Sequence, residues 1–309
     1  MESPGIPGRF KPLAEVWLSS PDRRQYDGVV FSPQVDTPGC YNLWKGFPVK
    51  PAVGDCSKFL QHVEKVVCKG NVGVADYVLN WCAHLVQRPA ELPEVALVLR
   101  GLQGTGKGVF VRALTGLVGT AHSAHLTSMN QIVGRFNLHL AGKLLIFADE
   151  ALWGGNRQSE GALKALITEP RIAIEAKNRD IVSVQNYARL VVASNATWAV
   201  PLDSDDRRFL VLDVSDAHKE DTNYFAAIAA ELDNGGLAAL MKFLRDRDLS
   251  TFSVRAMPTT GFGFDMKLKS ASSVYQWWYE KLRDADSYHW QTTVEKREEL
   301  RRPPEMERQ

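Results

Sequence analysis

Short apolar runs alternating with segments of helical periodicity predict an α/β protein built on a central, mainly parallel sheet. Four runs between residues 94 and 214 carry this reading: Glu94–Arg100, Lys143–Ala148, Arg189–Ala193 and Phe209–Val214. Each has strand length and no polar alternation, the pattern of strands covered by helices on both faces. The first run passes directly into a glycine-rich turn, Gly101-Leu-Gln-Gly-Thr-Gly-Lys107-Gly108, the kind of connection that opens a helix in such folds.

Taken in order, residues 1–54 are rich in Pro and Gly with scattered aromatics and predict an ordered but irregular lead-in. A helix is expected over Ser57–Lys69, with Phe59, Leu60, Val63, Val66 and Val67 on one face and Gly70 closing it. A second runs over Ala75–Arg88, where Val78, Trp81, Cys82 and Leu85 recur at helical spacing and Pro89 ends it. After the four strands the chain turns helical at Tyr224–Leu232 and Leu237–Leu244, which Gly235-Gly236 separate, and at Ser272–Leu282 with Trp277 and Trp278. The division expected is a helical and irregular region at 1–92, the sheet core at 93–216, a helical region at 217–285 and a charged, disordered tail at 286–309.

Composition narrows the function classes. Lys and Arg number 37 against 36 Asp and Glu, so no global positive field marks a broadly basic nucleic-acid binder. The longest purely apolar runs are short, such as Leu144–Ala148, too short to span a bilayer, and the first residues lack the charged-then-apolar order of a secretory signal. Cys40, Cys56, Cys68 and Cys82 lie far apart. That spacing admits two disulfides or a zinc site, and fits best with reduced thiols inside a cell. His122 and His125 form the one close histidine pair, without a nearby ligand to complete a metal set. Trp198 is expected to pack in the core.

The local motifs carry chemistry. Gly101 followed by Gly106-Lys107 fits the phosphate-binding spacing G-x-x-x-x-G-K, with Gly104, Thr105, Gly108 and Val109 completing the loop and the first helical turn. Glycines let successive amides turn toward phosphate oxygens, the lysine reaches the outer phosphates, and the helix start favours the anion. The strand Leu144–Ala148 delivers Asp149 and Glu150 at its carboxyl end, where ligands sit in open α/β sheets. There Asp149 would hold Mg²⁺ through water and Glu150 would polarise an attacking water. Gly108 stands where a Ser or Thr usually ligates Mg²⁺. Either a water replaces that ligand, or Thr105 supplies a hydroxyl, or nucleotide binds with slow turnover. Asn195, in the Ser194-Asn195 pair at the tip of the strand Arg189–Ala193, can hydrogen-bond the γ-phosphate or orient water. Arg207 and Arg208, before Phe209, are either a structural cluster with Asp205 and Asp206 or arginine fingers for a neighbouring subunit. Ile172 and Ile174, then Ile181, Val182 and Val184, flank a polar tip, Lys177-Asn-Arg179-Asp180, and predict a β-hairpin.

The order of these features resembles the superfamily 3 helicases, and more closely the helicase module of phage and plasmid primase–helicases. The resemblance rests on Tyr41-Asn-Leu-Trp-Lys-Gly-Phe47, Gly104-Thr-Gly-Lys-Gly108, Gly134-Arg-Phe-Asn137, Ala148-Asp-Glu-Ala151 and Asp206-Arg-Arg-Phe209, and reaches from Trp17 to Trp278. It implies an AAA+-like P-loop NTPase fold that uses ATP and Mg²⁺, and a homo-oligomeric, hexameric ring threading single-stranded DNA through its centre. It further implies Lys177 and Arg179 as DNA contacts, Arg208 (or Arg207) as the finger, a primase or polymerase partner, and the cytoplasm of a bacterial host. A protein-remodelling ATPase and a nucleotide-gated assembly protein with little turnover are the competing readings. No primase or polymerase domain lies upstream in this sequence, which is expected to be either a standalone subunit or a piece of a larger replication protein.

Overall fold

A computed structural model describes residues 11–149, 157–195, 207–261, 274, 277–279 and 281. The chain divides into two compact units, Met1–Gly46 and Phe47–Gln309. Residues 47–92 thus group with the sheet.

The first unit is more regular than its Pro/Gly content suggests. Helix α1 (Leu13–Ser19) is followed by strands β1 (Gly28–Val30) and β2 (Cys40–Asn42), paired in parallel. Asn42 substitutes for further backbone pairing. Its Oδ1 accepts from Ser32 N at 3.1 Å and its Nδ2 donates to Ser32 O at 2.9 Å.

In the second unit, α2 (Ser57–Gln61) widens into a π-type turn over His62–Val67. The widening turns His62 inward beside Val63, Val66 and Val67, whereas Leu60 is only half-buried. The expected uniform helix to Lys69 is therefore corrected: the chain leaves it at Lys69 and Gly70, both with positive φ. Asn71 caps α3 (Val72–Gln87) by accepting from Val74 N at 3.1 Å, which starts this helix three residues earlier than periodicity alone suggests.

The central sheet is parallel throughout, in the order β4-β5-β8-β3-β9. Its members are β3 (Ala96–Arg100), β4 (Ser123–Leu126), β5 (Leu145–Asp149), β8 (Arg189–Ser194) and β9 (Phe209–Asp213). Strand β4, Ser-Ala-His-Leu, is absent from the sequence expectation. It is one of the sheet's two edges and only Leu126 of its four residues is buried, so nothing requires a continuous apolar run. Helix α4 (Lys107–Val118) follows β3, and a short α5 (Met129–Val133) starts at a Ser128/Gln131 capping box. Helix α6 (Arg157–Thr168) leads into the antiparallel hairpin of β6 (Arg171–Ile174) and β7 (Val182–Gln185).

Helices α7 (Thr222–Glu231) and α8 (Leu237–Asp246) flank the kink at Leu232–Gly236, where Gly235 adopts φ +95°. Glu231 reaches back to cap α2, its two carboxylate oxygens each accepting at 2.9 Å from Lys58 N and Phe59 N. Of the expected helix at Ser272–Leu282, the described residues Val274, Trp277–Tyr279 and Lys281 are helical. The remainder, the charged tail and Trp198 lie outside the described residues. All four cysteines are free thiols, and burial pushes Cys56 up to about 11 and Cys68 up to about 12. Among the described residues no helix is long and apolar enough to cross a membrane.

Beneath the sheet's amino end, Arg189 is fully buried and nonetheless well partnered. Its guanidinium donates to Arg88 O and Glu91 O at 2.8 Å and Tyr187 O at 3.1 Å, and to His84 Nδ1 at 3.2 Å. Desolvation lowers its pKa to about 9, which leaves it charged at neutral pH. The same burial, with the Arg189 charge, drives His84 down to about 3, and burial holds His62 at about 4.

Both histidines take up protons near 6.5 once unfolded and resist doing so when folded. Stability is therefore complete above pH 6.5 and falls as pH drops toward 4. Between pH 6.5 and 5.5 the two sites are expected to remove about 1–2 kcal/mol from the unfolding free energy. Urea titration across that window checks this, and H62Q/H84Q should flatten the slope.

Candidate functional site

The turn between β3 and α4 sits over the carboxyl ends of the central strands. Gly104 and Gly106 both take positive φ, +77° and +90°, so amides there can face one side. The loop's carbonyls are engaged on the other. Gly104 O accepts from Glu220 N at 3.0 Å, and Leu102 O accepts from Thr105 Oγ1 at 2.9 Å. Gly106 O accepts from Val109 N at 3.0 Å and from His62 Nε2 at 3.2 Å. The Lys107 ammonium donates to Gly101 O at 2.6 Å, Leu102 O at 2.7 Å and Asn195 Oδ1 at 2.9 Å. A helix start leaves its first-turn amides without carbonyl partners in the helix, and the start of α4 at Lys107 opens onto this same side.

Three adjacent strand tips meet here. The loop follows β3, Asn195 follows β8, and Asp149 ends β5, with β8 lying between the other two. Together with Lys107 they line an open cleft of about 750 Å³, whose far wall is the α7 face bearing Thr222, Phe225, Ala226 and Ala229. Gly101, close-packed on Val214, lies at the root of the loop, and Gly104 through Val109 form the cleft floor.

The remaining expected site residues divide between the cleft floor and positions away from it. Thr105, one of the hydroxyls considered for a metal, is buried, and its Oγ1 braces the loop from within. Gly108 is exposed, and a side chain added there meets nothing within 4 Å. Glu150, with Asp205 and Asp206, lies outside the described residues. Arg208 joins the sheet at the opposite end, its carbonyl accepting from Ala96 N at 2.7 Å. Five residues of β3 separate that point from the loop, about 16 Å at strand rise. Arg208, half-buried, and Arg207, exposed, therefore stand away from this chain's own cleft. Lys177 and Arg179 are exposed at the tip of the β6–β7 hairpin, where Asn178 turns the chain with φ +59°.

Sequence reading gave no such role to three contributors, although it named His125 and the Gly134–Asn137 segment. His125, on edge strand β4, stacks on Phe147 at 4.8 Å and brings Nε2 to 3.4 Å from Asp149 Oδ2. It thus parts from His122, whose Nδ1 lies 3.3 Å from Gly142 O. His62 gave no motif signal, and only its place in the wide turn reveals it. The Gly134–Asn137 segment clamps the hairpin. Asn137 donates to Ala173 O at 2.9 Å and accepts from Glu175 N at 2.8 Å, while Arg135 pairs with Glu175 at 2.6 Å. Phe136 between them has φ +61° and is half exposed.

Residues 99–208 match a family of unknown function, DUF5906. Over 146 residues, 46% of the chain, the sequence is 33% identical to the DNA primase-polymerase of Nitratiruptor phage NrS-1, of whose length the chain spans 20%. The fold matches solved apo structures of the NrS-1 C-terminal region with a TM-score of 0.70. One, 23% identical, is matched over 81% of this chain and 62% of its own. Another, 22% identical, is matched over 93% and 73%. At these identities the structural likeness establishes a shared fold.

The open space at Gly108 yields an expectation independent of any ligand. G108S should fold normally and gain about 0.5 kcal/mol, the helix-propensity difference between Ser and Gly. Thermal unfolding checks this, and a lower melting temperature would show the position is closed to a side chain.

Proposed function

We propose that this chain is an ATP-driven DNA motor of phage or plasmid replication, a P-loop NTPase of the superfamily 3 helicase type working as a ring. The observation that carries the reading is the convergence of Lys107, Asn195 and Asp149 on one cleft under a loop whose carbonyls are engaged. That arrangement suits a polyphosphate: amides and a helix start for its oxygens, an ammonium for the outer phosphates, a carboxylate for the accompanying cation.

Asp149 would hold Mg²⁺ through water, and bound there Mg²⁺ neutralises charge on the transferring phosphoryl group. Because Mg²⁺ keeps several waters and phosphate oxygens, one or two carboxylates suffice. Lys107 would leave the Gly101 and Leu102 carbonyls for the β- and γ-phosphates. Asn195, already touching that lysine, would orient the attacking water, and Glu150 would accept its proton as the bond to the γ-phosphorus forms and the β–γ bridge breaks. Arg208, remote from its own cleft, fits a finger acting on a neighbouring copy's nucleotide. Lys177 and Arg179 would follow the backbone of single-stranded DNA in the ring's channel, with the exposed Phe136, whose neighbours hold Ala173 and Glu175 of the hairpin, to stack on bases. The relative's printed name, a phage DNA primase-polymerase, supports a role in phage DNA replication. The chain's place would be the cytoplasm of a bacterial host, and its partner a primase or polymerase.

ATP hydrolysis with and without single-stranded DNA tests the reading. K107A is expected to lose about 100-fold or more in turnover, and D149N to lose its Mg²⁺ dependence. K177A/R179A should keep basal hydrolysis and lose stimulation by DNA. Its binding should also be less salt-dependent, log K against log salt becoming shallower by about 1.4 for two phosphate contacts. Equal turnover in K107A and the unaltered chain would contradict the phosphate-loop assignment. Surviving DNA stimulation in K177A/R179A would remove the hairpin from the DNA path.

A further inference from the structure

We propose that His62 is a positioning residue of the glycine loop, setting the direction of the Gly106–Lys107 peptide and coupling the loop to α7. The inference rests on the nucleotide reading above and adds a residue outside every motif in it. His62 has no exposed surface, and its ring lies against Tyr224 and Phe225, with centroids 5.8 and 6.1 Å away. Nε2 is 3.2 Å from Gly106 O and Nδ1 is 3.2 Å from the Tyr224 hydroxyl.

The carbonyl has no proton to give, so Nε2 must carry the ring's hydrogen. In the neutral imidazole Nδ1 then accepts from the Tyr224 hydroxyl. Burial supports that neutral state by holding the pKa at about 4. A trans peptide places its N–H opposite its C=O. With the Gly106 carbonyl held toward His62 and Val109 N, the Lys107 amide is turned the other way, to the side where Gly106 and Lys107 line the cleft.

Gly106 is fitted to this contact. A Cβ there would come within 2.6 Å of both His62 Cε1 and Phe225 Cε1, and its φ is +90°. The wide turn after α2 has the same consequence, since it brings His62 inward together with Val63, Val66 and Val67; such turns recur at functional sites. Tyr224 in turn stacks on His218 at 3.7 Å, and Asp221, the α7 cap, accepts from Tyr224 N at 3.0 Å. The floor and far wall of the cleft are thus joined through one imidazole.

The test compares the full chain with H62L, H62Q and Y224F. It reads the melting temperature, the affinities for a fluorescent ATP analogue and for adenosine, and kcat and KM for ATP. Glutamine restores a donor near Nε2, whereas leucine fills the space without one. H62L is expected to bind the ATP analogue about 10-fold more weakly, one oriented hydrogen bond's worth, with adenosine affinity unchanged. H62Q should stay within about threefold of the unaltered chain, and Y224F should fall between the two. Equal losses in H62L and H62Q, or equal losses for ATP and adenosine, would overturn the positioning role. If H62L does not fold, unchanged affinity in Y224F overturns the coupling. An unaltered chain that binds no ATP analogue would overturn the nucleotide reading and this proposal together. An unaltered chain that binds while H62L matches it overturns this proposal alone.

Discussion

A loop can present its amides to an anion only if its carbonyl oxygens are satisfied elsewhere, and the second unit of this protein is arranged around that requirement. Donors reach the loop carbonyls from three separate regions: His62 from the turn after α2, Glu220 from the segment before α7, and Thr105 and Lys107 from the loop and the start of α4. Held from these three regions, Gly101–Lys107 has one preferred conformation before any ligand arrives.

The same requirement explains why helices outside the sheet matter. Helix α2 contributes His62 only because its own amino end is fixed, and Glu231 fixes it by accepting from two of its amides. Helix α7 therefore holds α2 at one end through Glu231 and meets it at the other through Tyr224. Close packing adds to this. A Cβ on Gly116 would sit 2.9 Å from Leu237, so α4 and α8 approach at a glycine, and Phe59 stacks on Phe110 between α2 and α4. At the sheet's far end the buried Arg189 ties the connection after α3 to the start of β8. The strand that Asn195 follows is anchored where it begins.

The fold was legible where burial leaves an unambiguous trace. Strands β3, β5, β8 and β9 are covered on both faces and read as apolar runs. Edge strand β4 was not legible, because only Leu126 of Ser-Ala-His-Leu is buried, whereas the other edge strand, β9, is buried along most of its length. The lead-in was harder still, since a two-stranded pair held by an Asn side chain has no periodicity to detect. At the site, Lys107, Asp149 and Asn195 announced themselves by position after strands. His62 did not, since a lone histidine on an apolar helix face looks like core, and only the wide turn places its ring on the loop. His125 was read as half of a histidine pair, yet His122 lies in the turn before β4 while His125, within β4, reaches Asp149. The Gly134–Asn137 motif could be recognised, but its role as a clamp on the hairpin depends on side chain to backbone bonds that no spacing encodes.

The central claim is that the loop is built to receive phosphate and that Lys107 is parked within it. A structure of the chain with a non-hydrolysable ATP analogue and Mg²⁺ tests this most directly. The account predicts phosphate oxygens on the amides of Gly104 through Gly108, with the Lys107 ammonium moved from the Gly101 and Leu102 carbonyls to the outer phosphates. It also predicts a Gly106 carbonyl still held by His62. A nucleotide bound elsewhere, or a Lys107 that stays on the loop carbonyls with the analogue in place, would contradict it.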